Sequence, residues 1–125
     1  MAVRVNSVTV DCQDPKRLAE WWAEMLGWVS FTLPGDDDGD IWLAPGTDPA
    51  AFPHAIPFLF LSDPNPKTVK NRLHLDLVPD DQEAEVARLE AMGATRVDIG
   101  QGEVSWVVMA DPEGNEFCVL RSYQG

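Results

Sequence analysis

Ser7-Val-Thr-Val-Asp-Cys-Gln-Asp14 and His74-Leu-Asp-Leu-Val-Pro-Asp-Asp81 are the two stretches whose reading decides the fold. In each, apolar and polar residues alternate as in a half-buried strand, and an aspartate then stands where a helix should begin. A helical pattern follows each one, closing at Gly27 in the first case and at Gly93 in the second. Self-similarity at a fixed offset, in a chain of 125 residues, constrains the architecture more tightly than any single motif.

Working outward from the first stretch, Asp14-Pro15 supplies a helix cap and a first-turn proline. Leu18, Trp21, Trp22, Met25 and Leu26 then form an apolar face at helical spacing. Strands are predicted at Trp28–Leu33, Ile41–Ala44 and Phe58–Leu61. Asp36-Asp-Asp-Gly-Asp40 reads as a solvated hairpin loop, and a Pro/Ala-rich loop carries His54.

The second stretch opens the same series. A strand is predicted at Arg72–Val78, then a helix capped by Asp80 or Asp81 and built on Ala84, Val86, Leu89 and Met92. Strands follow at Thr95–Ile99, Val104–Met109 and Glu116–Arg121, the last two joined by the turn Asp111-Pro-Glu-Gly-Asn115. The fold class is therefore α+β, a single domain of two βαβββ modules at about 1–62 and 72–125, with a polar hinge at about 63–71.

Composition narrows the function classes. The formal net charge is −12, with 21 acidic against 9 basic residues, which disfavours nucleic acid and anionic membranes as partners. Solubility accounts for such a charge, and a field that attracts a cationic ligand is the sharper reading. No apolar run approaches the roughly 20 residues of a membrane helix, and the N-terminus leads straight into strand-like sequence, so a cytoplasmic setting is expected. In that setting Cys12 and Cys118 are expected as thiols.

Three segments carry a family resemblance: Val10-Asp-Cys-Gln-Asp-Pro15 with Trp21-Trp-Ala-Glu-Met-Leu-Gly27, Lys67-Thr-Val-Lys-Asn-Arg-Leu-His-Leu-Asp-Leu77, and Asp111-Pro-Glu-Gly-Asn-Glu-Phe-Cys-Val-Leu120. They resemble the vicinal oxygen chelate superfamily of glyoxalase I, extradiol dioxygenases and bleomycin-resistance proteins, and in particular its glyoxalase-like domain group. The resemblance implies sheets that curl into a cupped half-barrel around a ligand cavity, and a homodimer. In metal-dependent relatives it also implies a histidine opening the first strand of each module and a glutamate on the final strand. Those positions fall on Ser7, His74 and Cys118. A further carboxylate used by some relatives has no counterpart among Phe58, Leu59, Phe60 and Leu61. One expected ligand of three survives, so no metal and no cofactor is expected.

Strand parity lists the face turned away from the helices. Ser7, Thr9 and Asp11 come from the first strand, His74 and Asp76 from its counterpart, and Glu116 and Cys118 from the last. Phe58, Phe60, Trp42 and Trp106 are expected to add aromatic walls. Such groups either satisfy one another in a polar core or serve a ligand, and two functional forms follow. A carboxylate-rimmed aromatic pocket would bind a cationic or planar small molecule, as a metal-independent protein sequestering a drug or metabolite. Alternatively, His74 with Asp76 or Glu116 would act as the acid–base pair of a metal-free isomerase or epimerase. Lys67-Thr-Val-Lys-Asn-Arg72 reads as an arm bonding the partner module or a dimer mate, with anion binding by Arg72 as the alternative.

Overall fold

The computed structural model describes residues 3–36 and 39–122. Asp37 and Asp38 of the predicted hairpin loop lie outside the described residues. The chain divides into two compact units, Met1–Pro66 and Lys67–Gly125.

The first unit contains β1 (Val8–Cys12), α1 (Pro15–Leu26), β2 (Val29–Phe31), β3 (Ile41–Ala44), a short 3-10 turn (Pro49–Ala51) and β4 (Phe58–Ser62). Its sheet runs β1-β4-β3-β2, with β1 and β4 parallel and the other pairs antiparallel. The second unit repeats the series with β5 (Asp76–Leu77), α2 (Gln82–Ala91), β6 (Thr95–Arg96), β7 (Val107–Ala110) and β8 (Glu116–Val119). Its sheet runs β5-β8-β7-β6, again with the first pair parallel. Each unit is thus a βαβββ module around an open four-stranded sheet.

The helices begin and end for local reasons. The Asp14 carboxylate accepts from the Arg17 amide, Pro15 occupies the first turn, and Gly27 closes α1 in the left-handed region at φ 70°. Leu18, Ala19, Trp21, Trp22 and Met25 are buried, so α1 presents one wide apolar face. For α2 the structure selects Asp81 as the cap, its carboxylate accepting from the Ala84 amide. Glu83 and Glu85 sit in the first turn, where the helix dipole favours negative charge. Val86 and Leu89 are the buried residues of this face, whereas Ala84 is exposed.

Several predicted strands are shorter than expected. The predicted Arg72–Val78 strand contracts to Asp76–Leu77, held by Cys118 N–H to Leu75 O and Leu120 N–H to Leu77 O. Val104–Met109 contracts and shifts to Val107–Ala110, leaving Val104 and Trp106 outside the ladder and exposed. Alternation alone does not mark where ladder pairing stops, because pairing depends on the neighbouring strand.

β4 decides the first core. Its register sets Phe58 opposite Val8 and Leu43, and Phe60 opposite Val10 and Ile41. Phe58 packs edge-on against Trp22 of α1, with ring centroids 6.0 Å apart, and against Trp28 at 5.6 Å. Phe60 and Leu43 are fully buried. The expectation that Phe58 and Phe60 wall a ligand pocket is therefore corrected, since both belong to the core beneath α1. The four-residue apolar run of β4 has no polar partner residues to show which parity faces the helix. Pairing with β1 supplies that choice.

Candidate functional site

The face of the first sheet turned away from α1 carries Thr9, Asp11, Leu59, Trp42 and Phe31, as the register requires. Ser7 Oγ lies 3.3 Å from Thr9 Oγ1, so these exposed hydroxyls bond to each other. Asp11 is exposed. At one end of this face lies a cavity of about 650 Å³, within the size range of small-molecule sites. Phe31 and Trp42 form part of its floor, Arg4 and Asn6 approach from the segment ahead of β1, and Phe52 and His54 come from the loop at 45–57.

Of the residues singled out by sequence, Trp42 lines this cavity, and Ser7, Thr9 and Asp11 do not. Arg4, Phe52 and His54 were not expected there. The available signal was the length of the β3–β4 connection, because long loops in compact domains are commonly functional. Trp42 Nε1 is buried and has no hydrogen-bond partner among the described residues. A buried indole N–H ordinarily finds an acceptor, so this donor marks a place where an acceptor is wanted.

The second module holds a polar trio. His74 Nδ1 lies 2.9 Å from Asp76 Oδ1, and Cys118 Sγ lies 3.9 Å from the same nitrogen. Register explains the meeting, since Asp76 stands directly opposite Cys118 in the β5–β8 pair. The Asp76 carboxylate accepts from His74 Nδ1, which fixes the proton there and leaves Nε2 as the open ring nitrogen. Burial pushes the Cys118 thiol above its ordinary range, and the charge of Asp76 and the thiol's hydrogen bond to it add to the effect. Cys12 and Cys118 form no disulfide.

Glu116 does not join this trio as a spare carboxylate. Its Oε1 accepts from Lys67 Nζ at 2.9 Å and its Oε2 from the Asn71 amide at 3.2 Å. Burial opposes its charge, but these donors outweigh that cost and hold the carboxyl below its ordinary range. The Lys67 arm thus bonds β8 of its own module. Trp106, 40% exposed ahead of β7, forms part of no cavity wall described here.

The metal pattern of catalytic glyoxalases does not fit these residues. Ser7 offers a hydroxyl already bonded to Thr9, and Cys118 a thiol where the family resemblance implies a carboxylate. His74, Asp76 and Cys118 do bring three ligand-type atoms within 4.8 Å of one another, the one such cluster among the described residues. The Asp76 carboxylate accepts from His74 Nδ1, and the Cys118 thiol lies against the same pair.

A glyoxalase-like domain family model matches residues 7–120. No curated protein matches the chain by sequence. Among solved structures, an antibiotic-binding protein from Streptomyces sp. CB03234 is 22% identical at a TM-score of 0.64, covering 98% of each chain. Glyoxalase I of Leishmania major is 15% identical at a TM-score of 0.67, covering 98% of this chain and 89% of that one. A bleomycin resistance determinant encoded on the transposon Tn5 is 15% identical at a TM-score of 0.58, covering 97% and 99%. At these identities the likeness establishes the fold alone. No helix among the described residues is long and apolar enough to cross a membrane.

Proposed function

This chain belongs to the glyoxalase-like domain family, and we propose that it binds a small molecule without a resident metal, sequestering a drug or metabolite. The observation that carries this reading is the first-module cavity, walled by the rings of Trp42, Phe31 and Phe52 and edged by Arg4 and His54. A binder needs shape, apolar surface and a few placed polar groups, and the cavity offers all three. Fold neighbours that include an antibiotic-binding protein support the reading by analogy. The hydroxyl of Ser7, bonded to Thr9 where metal-dependent relatives carry a histidine, supports its metal independence. Two cysteines outside any disulfide suit a cytoplasmic setting. Leu73 at 89% exposed and Val69 at 76% are apolar residues that a homodimer would cover.

Calorimetric and thermal-shift titration with planar aromatic antibiotics and metabolites, with and without EDTA, tests this. The expected result is saturable, near-stoichiometric binding that EDTA leaves unchanged. The reading is overturned if no compound saturates. It is equally overturned if chelation lowers Tm and Zn²⁺ or Ni²⁺ restores it in the wild type but not in His74→Ala.

The 2.9 Å contact between His74 and Asp76 favours a second reading, acid–base catalysis of an isomerase or epimerase type at that pair. Turnover that His74→Ala removes, with ligand binding intact, would select it.

A further inference from the structure

The cavity wall has a chemistry opposite to that of the chain as a whole. The protein carries 21 acidic against 9 basic residues, yet no aspartate or glutamate lines the cavity among the described residues. The polar groups that do line it are donors or donor-capable: the Arg4 guanidinium, the His54 ring, and the Asn6 and Thr47 side chains. Arg4 makes no ion pair among the described residues, although carboxylates outnumber cationic side chains on this chain. The remaining wall is aromatic and aliphatic.

From this we propose that the cavity selects a planar aromatic anion, a carboxylate or phenolate on a fused-ring body, rather than the cation that the net charge suggests. The inference rests on the binding reading above. Arg4 supplies a planar, permanently charged fork suited to a carboxylate. The rings of Trp42, Phe31 and Phe52 take the aromatic body. The carboxylate next to the wall in the chain is Asp48, between Thr47 and Pro49, and its Oδ1 accepts from the Ala50 amide. Charges beyond the roughly 8 Å Debye length of physiological salt are largely screened. Inside the cavity the nearest groups decide.

The test compares three probes of one shape, 2-naphthoate, 2-naphthamide and 2-naphthylmethylammonium, titrated by calorimetry into the intact protein and into Arg4→Gln and Trp42→Phe. Naphthoate is expected to bind about tenfold tighter than the amide, as for a hydrogen bond gained by a charged group, with the cation weakest. Arg4→Gln should collapse the preference for the anion over the amide to within about twofold, and as an exposed residue it leaves folding intact. Trp42→Phe keeps an aromatic wall and should leave the preference for the anion over the amide unchanged, so that a loss of preference confined to Arg4→Gln assigns it to the guanidinium. Equal binding of all three probes, or tightest binding of the cation, overturns the anion preference while the cavity remains a binding site. Binding of none of them up to millimolar concentration removes the inference together with the reading it rests on.

Discussion

Lys67 Nζ stands 2.9 Å from Oε1 of Glu116, joining the segment that opens the second module to its last strand. The side chains are only 21% and 10% exposed, so this is a largely desolvated pair rather than a surface one. The Asn71 amide occupies the other carboxylate oxygen. Removing Lys67 would leave a buried charge with a single remaining partner.

Lys67→Met is accordingly expected to destabilise the protein by about 1–3 kcal/mol, read from urea midpoints at pH 7. The pH dependence has a definite sign. The folded state holds the Glu116 carboxyl below its ordinary range, so its contribution is complete above the unfolded value of roughly 4.3 and is lost as pH falls through the depressed folded value. Glu116→Gln should therefore flatten the loss of stability between about pH 5 and pH 3. An unchanged slope in that window would contradict the role assigned to this pair.

Cys118 should react slowly with iodoacetamide at pH 8, because burial first and Asp76 second keep the thiol protonated. Asp76→Asn removes the charge and should speed alkylation of Cys118 severalfold, followed by mass spectrometry of the peptide that contains it. A rate indifferent to Asp76→Asn would mean that access alone limits the reaction.

Phe60 and Trp42 occupy adjacent strands yet predict opposite outcomes. Phe60 is fully buried beneath α1, so Phe60→Ala should cost about 3–5 kcal/mol of stability. Trp42 lines the cavity, and Trp42→Phe should cost less than about 1.5 kcal/mol while reducing ligand affinity. Chemical denaturation of both variants checks the assignment of the two faces, and a severe loss from Trp42→Phe would contradict it.

Much of the fold was legible in the chain. The repeat of Ser7–Asp14 at His74–Asp81, the cap at Asp14, the stop at Gly27 and the apolar stripe of α1 all follow from groups close together in sequence. The fold chose Asp81 over Asp80 as the second cap and Met92 as the closing cap of α2. The candidate site was legible only in fragments. His74, Asp76 and Cys118 were placed on one face by parity, and they do meet. Glu116 was placed there too, but a lysine from a segment read as an external arm holds it. Phe58 and Phe60, expected as aromatic walls, lie in the core beneath α1, and because every residue of Phe58-Leu-Phe-Leu61 is apolar, alternation alone does not say which parity meets the helix.

The sequence by itself determined the order of elements, the bounds of α1 and the two-module plan, because caps, turns and periodicity are short-range physics. Only the tertiary structure decided which side of β4 meets the helix, which donor holds Glu116, and that Arg4 and the loop at 45–57 close a cavity over Trp42. Those outcomes depend on the register of backbone pairs between residues far apart in the chain, such as Val8 with Phe58 and Asp76 with Cys118. Register is set by the simultaneous fit of all the strands and the helix they bury, which no local stretch encodes.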